Sequence, residues 1–272
     1  MRFTQIINVI AAGSLAGIAA AVPMGTRTLD VAKRGVALGS RATNAVVTNS
    51  AVAVKTINDS TGKSSGTDSY TMYTGDGSTQ DGWPAKSDWL SFDELWKVNK
   101  ASISESCSNN GWGADNSATE TQDIYDAINE VAKESEVDHR LILAVVMQES
   151  KGCVRVPTTA NSVSNPGLMQ SYEGTGTCYG KSTCPKSEIV QMIRDGAVGT
   201  ASGDGYATLI NLAKSNTVAA YYKSARLYNS GINSLESSDN LSSSSGATSC
   251  YASDVANRLT GWVTAATKCT SS

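Results

Sequence analysis

Between Asp138 and Gly152 the chain runs Leu141-Ile142-Leu143-Ala144-Val145-Val146-Met147, apolar on every face a helix could present. Such a helix has no side to show to water, so the rest of the fold must be built around it. Asp138 is suited to cap its start and Gly152 to stop it, which predicts a buried central helix over about 139–150. The last turn reads Gln148-Glu149-Ser150. Burying a carboxylate behind seven apolar residues costs several kcal/mol unless it is protonated or paired. The helix C-terminus adds negative potential equivalent to about half an electron charge. Both effects are expected to raise the Glu149 pKa, and a carboxylic acid still protonated near neutral pH can serve as a general acid. The competing reading is a glutamate that simply reaches solvent at a helix end.

The segments available to enclose that helix are themselves helical. Ser117-Ala-Thr-Glu120 has capping-box spacing and leads into Ile124, Ile128 and Val131 at helical intervals, predicting an amphipathic helix over 118–135. Residues 187–194, 205–229 and 251–268 carry further helical patterns, and few segments alternate as strands, so the expected class is mostly α. All six cysteines (Cys107, Cys153, Cys178, Cys184, Cys250, Cys269) and all five tryptophans lie beyond residue 80, which places one folded domain at 81–272. An even cysteine count in an exported chain argues for three disulfides. Fifteen pairings are possible; nearness in sequence alone favours Cys107–Cys153, Cys178–Cys184 and Cys250–Cys269.

Export is read from the start of the chain. Arg2, a short apolar stretch and Ala19-Ala20-Ala21 form a secretory signal peptide over residues 1–21. Residues 22–34 form a pro-segment ending in Lys33-Arg34, either a dibasic processing site or an uncleaved basic pair. Residues 35–80, rich in Ser, Thr and Gly, have the composition of a low-complexity linker. Sequons begin at Asn58 and Asn240. The expected product is a secreted, extracellular monomer with no membrane association after signal removal.

Charge and residue type exclude several function classes. There are 22 Lys+Arg against 25 Asp+Glu, and removing residues 1–34 leaves 18 against 24, a net of −6. Nucleic acid is therefore an unsuitable partner. A single histidine, His139, rules out a multi-histidine metal site, and no cysteine pair has zinc-ligand spacing. Gly203-Asp204-Gly205 is too short and acidic for a phosphate loop. No cofactor is implied, and chemistry must rest on carboxylates or the backbone.

Two later motifs give Glu149 a context. Gly167-Leu168-Met169-Gln170 follows it, and then comes Leu227-Tyr228-Asn229-Ser230-Gly231. In this order, Glu-Ser, Gly-Leu-Met-Gln and Tyr-Asn-Ser-Gly resemble the three signature motifs of the soluble lytic transglycosylase and goose-type lysozyme family, over roughly residues 120–232. The family's third motif reads Ala-Tyr-Asn-Ala-Gly. The export signal, cysteines and dibasic pair make the chain look like a fungal secreted member.

The resemblance implies a lysozyme-like fold and a secreted glycosidase. Its substrate would be the β-1,4 bond between N-acetylmuramic acid and N-acetylglucosamine in bacterial peptidoglycan. Glu149 would be the general acid. Ser150 would orient its carboxyl or contact sugar, unless it is only a helix cap. Met169 and Gln170 would line the cleft. Tyr228 and Asn229 would contact the N-acetyl sugar, Tyr228 hydrogen-bonding Glu149, unless Tyr228 is core packing. One departure matters: residues 154–172 contain no acidic residue where goose-type enzymes carry water-activating aspartates. Glu173 is the nearest possible second carboxylate. Hydrolysis and the anhydro-forming transglycosylase route both remain open. So do chitin as the polymer and a non-catalytic sugar-binding role. The acidic mature charge predicts activity favoured at acidic pH.

Overall fold

The computed structural model describes residues 44–160, 163–236, 240–243 and 247–269. The signal peptide, the pro-segment with Lys33-Arg34, and Asn161-Ser162 lie outside the described residues. Eight helices are found among them: α1 (Phe92–Ser104), α2 (Ser106–Asn109), α3 (Ala118–Ser135), α4 (His139–Glu149), α5 (Lys186–Ala197), α6 (Tyr206–Leu212), α7 (Ala219–Ser230) and α8 (Tyr251–Leu259). The only sheet among the described residues is a two-stranded antiparallel hairpin, β1 (Thr159–Ala160) with β2 (Ser164–Asn165). The fold is mostly α.

Helix α4 is the axis. Every residue from His139 to Met147 is buried, enclosed by α1, α3, α5 and α8. Helix α3 is amphipathic, with Ile124, Ala127, Ile128, Val131 and Ala132 turned inward. Its capping box is complete: Glu120 N donates to Ser117 Oγ at 3.1 Å and Ser117 N to Glu120 Oε2 at 2.8 Å. The same buried carboxylate receives Arg155 at 2.6 Å and Cys184 N at 2.7 Å, so one cap also anchors the loops before α5.

Three disulfides join Cys107 to Cys153, Cys178 to Cys184 and Cys250 to Cys269. Closing such loops removes chain entropy from the unfolded state.

Residues 44–80 are not a free linker. Ala45, Val47, Val52 and Tyr70 are buried in the domain. Val47 N donates to Ser135 O and Val54 N to Glu136 O, both at 2.9 Å, and Tyr221 Oη donates to Val52 O. Farther on, Lys63 bridges to Leu90 in parallel fashion, and the Tyr70 hydroxyl reaches Asp254. The folded unit therefore includes this extended strap as well as the described residues beyond 80. Its apolar residues are inserted singly and its amides pair with helix ends and loops, so neither helical nor strand periodicity is required of it.

Two expected helices are shorter than their patterns. The 205–229 segment divides into α6 and α7 because Lys214 turns left-handed (φ 49°) and Ser215 and Thr217 cap backbone amides in the gap. The 251–268 segment stops at Leu259. Gly261 takes φ 111°, and Asp68 of the strap accepts from the amides of Val263, Thr264 and Ala265. Burial pushes the Asp68 carboxyl up, but the Thr264 hydroxyl and these three amides outweigh it and bring it to about 2.

The N-terminal end of α4 is a closed charge cluster. Asp138 accepts from Arg140 Nε at 2.9 Å and Nη2 at 2.8 Å, and pairs with Lys86 at 3.0 Å. Burial penalises its charge, yet Arg140, His139 and Lys86 hold the carboxyl well below the usual range. His139 lies between Asp59 of the strap (3.4 Å) and Asp138 (3.5 Å), with Phe92 against its ring. Among the described residues no helix is long and apolar enough to cross a membrane.

Candidate active site

Glu149 ends α4, half-buried, where the helix emerges from the core. Ser150 behind it is fully buried. Its hydroxyl donates to Val146 O at 2.9 Å and accepts from Gly152 N at 3.2 Å. Ser150 is thus engaged in closing the helix, which is the capping alternative.

The Tyr251 hydroxyl donates to Glu149 Oε1 at 2.5 Å. Tyr251 is the first residue of α8, buried, and directly follows the disulfide-bonded Cys250. Burial raises its pKa well above the ordinary tyrosine value, and the neighbouring Glu149, Tyr206 and Tyr228 push the same way. Tyr251 therefore stays a neutral donor, fixing one carboxyl oxygen of Glu149. Sequence reasoning missed it because the two residues are 102 positions apart. The available signal was a tyrosine placed at a cysteine-anchored start of a strongly one-sided helix.

Tyr228, expected to bond Glu149, donates to Met169 O at 2.8 Å, with Ser171 Oγ 3.3 Å away. Its ring stacks on Tyr206, centroids 4.6 Å apart. Tyr228 therefore ties α7 to the Gly167–Gln170 turn while facing the same tyrosine cluster as Glu149. The turn needs its glycine: Gly167 has φ 77°, and a Cβ there would lie 2.6 Å from Met192 Cγ and 2.7 Å from Gly176 O.

The two side chains expected in the cleft are enclosed. Met169 is fully buried against Gly196 of α5, where an added Cβ would fall 2.5 Å from Met169. It is the Met169 carbonyl that meets Tyr228. Gln170 accepts from Thr159 Oγ1 at 2.8 Å and donates to Gly167 O at 3.0 Å and Pro157 O at 3.3 Å. It braces the β1–β2 hairpin against the turn, since a buried amide must satisfy both its ends. Asn229 is buried at the last turn of α7. Glu173 is solvent-exposed in a left-handed conformation (φ 48°), its amide bonded to Ser164 O. A different carboxylate, Asp204, lines a cavity of about 20 Å³ with Tyr228, Tyr172 and Gly231, room for about one water. It sits in the Gly203–Gly205 segment, which sequence reading considered only as a phosphate loop.

Beside Glu149, Gln148 joins a polar network with α8. Its amide donates to Asp254 at 3.0 Å and accepts from Arg258 Nε at 2.8 Å. The Tyr70 hydroxyl donates to the other Asp254 oxygen at 2.6 Å. Burial raises the Asp254 pKa despite these donors. Among the described residues no group of three or more His, Cys, Asp or Glu is arranged to hold a metal.

Compared by sequence with protein-family models and with curated proteins, the chain matches none.

Proposed function

We propose that this chain is a secreted glycosidase with a lysozyme-like fold, and that it cleaves the β-1,4 bond between N-acetylmuramic acid and N-acetylglucosamine in peptidoglycan. The observation that carries the reading is a single carboxyl, Glu149, at the emergent end of a buried helix and held by a neutral tyrosine donor at 2.5 Å. The three sequence motifs agree with it in order, and the Tyr228–Met169 bond joins two of them.

In this mechanism Glu149 enters protonated and gives its proton to the glycosidic oxygen as the bond to the anomeric carbon breaks. Tyr251 keeps the carboxyl from rotating, so less orientational entropy is lost at the transition state. The developing cation is then captured in one of two ways. Water adds, giving a reducing-end muramic acid, or the muramic 6-hydroxyl adds and gives the 1,6-anhydro sugar. Glu149, now ionised, accepts the proton of whichever hydroxyl attacks. Solvent-exposed Glu173 carries no assigned part in this scheme.

The deciding experiment is mass spectrometry of fragments released from purified peptidoglycan. Reducing-end muropeptides would establish a lysozyme, and fragments lighter by one water a lytic transglycosylase. Release from chitin oligomers alone would change the substrate. No release from either, with sugar binding kept, would make the chain a binding protein.

A further inference from the structure

Next to Glu149 along α4, a cavity of about 200 Å³ is lined by Gln148, Lys151, Ser249, Asp254, Arg258 and Thr267, with Trp262 in its wall. Tyr251, Asp254 and Arg258 recur at i, i+3 and i+7, so one face of α8 serves both the Glu149 carboxyl and this cavity.

Arg258 is the unusual member. It is only 4% exposed, and its guanidinium lies 4.4 Å from the Trp262 ring centre. Its Nε donates to Gln148 at 2.8 Å, the one hydrogen bond the guanidinium makes among the described residues. Asp254 does not pair with it: no ion pair joins them within 4.0 Å, and the Asp254 oxygens are taken by Tyr70 and Gln148. Burial lowers the Arg258 pKa to about 10, so it remains cationic at neutral pH. The free edge of the guanidinium opens on the cavity, and a planar carboxylate is the group that fits that fork.

The other wall residues narrow the choice. Lys151 and Arg258 bring two cationic side chains to the wall and Asp254 one carboxyl. Ser249 and Thr267 bring hydroxyl donors. The volume is below the 300 Å³ or so at which pockets take drug-sized ligands, and it suits a group of about one amino acid rather than a disaccharide.

We propose that this cavity is a carboxylate subsite. It receives the acidic substituent on muramic acid, as the lactyl carboxylate or a carboxylate of the attached peptide, and so favours peptidoglycan over uncharged chitin. This rests on the glycosidase reading above.

The test measures binding to full-length protein carrying Glu149→Gln, so that ligand is not consumed, by calorimetry and by tryptophan fluorescence. The probes are N-acetylmuramic acid and its methyl ester, N-acetylmuramyl dipeptide and its fully amidated form, and tri-N-acetylchitotriose. One charge-assisted fork predicts that an acid binds about 10- to 100-fold more tightly than its uncharged partner. Whichever acid shows the preference identifies the source of the carboxylate. Adding Arg258→Gln should bring the ratio to within about twofold while leaving chitotriose affinity unchanged. Lys151→Gln, at the half-buried rim, should lower the ratio about threefold and decides the matter if Arg258→Gln does not fold. Equal binding of acid and uncharged forms, or a ratio that neither substitution lowers, overturns the subsite. Fragment release from peptidoglycan by the native chain is measured alongside. Release without an acid preference defeats the subsite alone. An acid preference without release defeats the glycosidase reading and leaves the subsite standing.

Discussion

The two ends of α4 both place acidic side chains against the core, but they solve the burial problem differently. At the start, Asp138 lies among Arg140, Lys86 and His139, and its charge is matched by the Arg140 and Lys86 cations. At the finish, a neutral phenol donates to Glu149, and a phenol and an amide donate to Asp254, with Arg258 and Lys151 acting on Asp254 only from longer range. Matched charge fixes a carboxylate in one protonation state and makes it a structural clamp, here fastening the strap to α4 through Asp59 and Thr61. Neutral donors orient a carboxyl without placing a matching full charge beside it, as the proposed general acid requires. The difference separates a structural acid from a candidate catalytic one on the same helix.

Substitutions at the two ends should therefore fail in different ways. Glu149→Gln is expected to lower fragment release from peptidoglycan by about 10²- to 10⁴-fold with little change in thermal midpoint; an unchanged rate would remove Glu149 from the mechanism. Asp138→Ala should do the converse. It leaves Arg140 and Lys86 uncompensated and should cost about 3–5 kcal/mol in urea unfolding. A loss below about 1 kcal/mol would mean that the cluster is no clamp. Tyr251→Phe removes one donor to Glu149 and should slow turnover about tenfold, with the pH–rate profile displaced because the carboxyl loses a partner.

Titration of stability sharpens the contrast further. The folded Asp138 pKa lies below its unfolded value of about 3.8, so its contribution is present above that pH and is lost as pH falls through the folded value. Asp254 has the opposite sign. Its folded pKa is raised, so the folded state holds the proton longer and stability declines as pH rises from about 3.8 through the folded value. Asp254→Asn should flatten that decline in melts recorded from pH 4 upward, and a slope equal to wild type would contradict the assignment. The smallest effect is expected from Glu173→Gln. This exposed residue should alter turnover less than about twofold, and a loss above tenfold would make it the second carboxylate after all.

How much of this was legible beforehand depended on range. The capping box at Ser117–Glu120 and the all-apolar α4 were readable because both are local: the geometry of a few consecutive residues dictates them. The strap was not. Val47, Val52 and Tyr70 are ordinary apolar residues in a polar stretch, and only partners in α3, α7 and α8 give them a place. Met169 and Gln170 looked like cleft residues because their motif is conspicuous. Whether a side chain faces a groove or the core depends on where α5 and the hairpin pack, and that is not written in four letters. Tyr251 was hidden for the same reason, lying far along the chain in a segment with no motif.

By itself, the sequence determined that a helical domain must form around residues 139–147 and that Glu149 would stand at the end of that helix, since apolar periodicity and caps act over one or two turns. Only the tertiary structure decided which hydroxyl meets the Glu149 carboxyl, that Asp138 is neutralised by Arg140 and Lys86, and that Arg258 turns an unmatched edge into a cavity beside the site. Those outcomes depend on distances between segments up to 110 residues apart, fixed when the whole core closes.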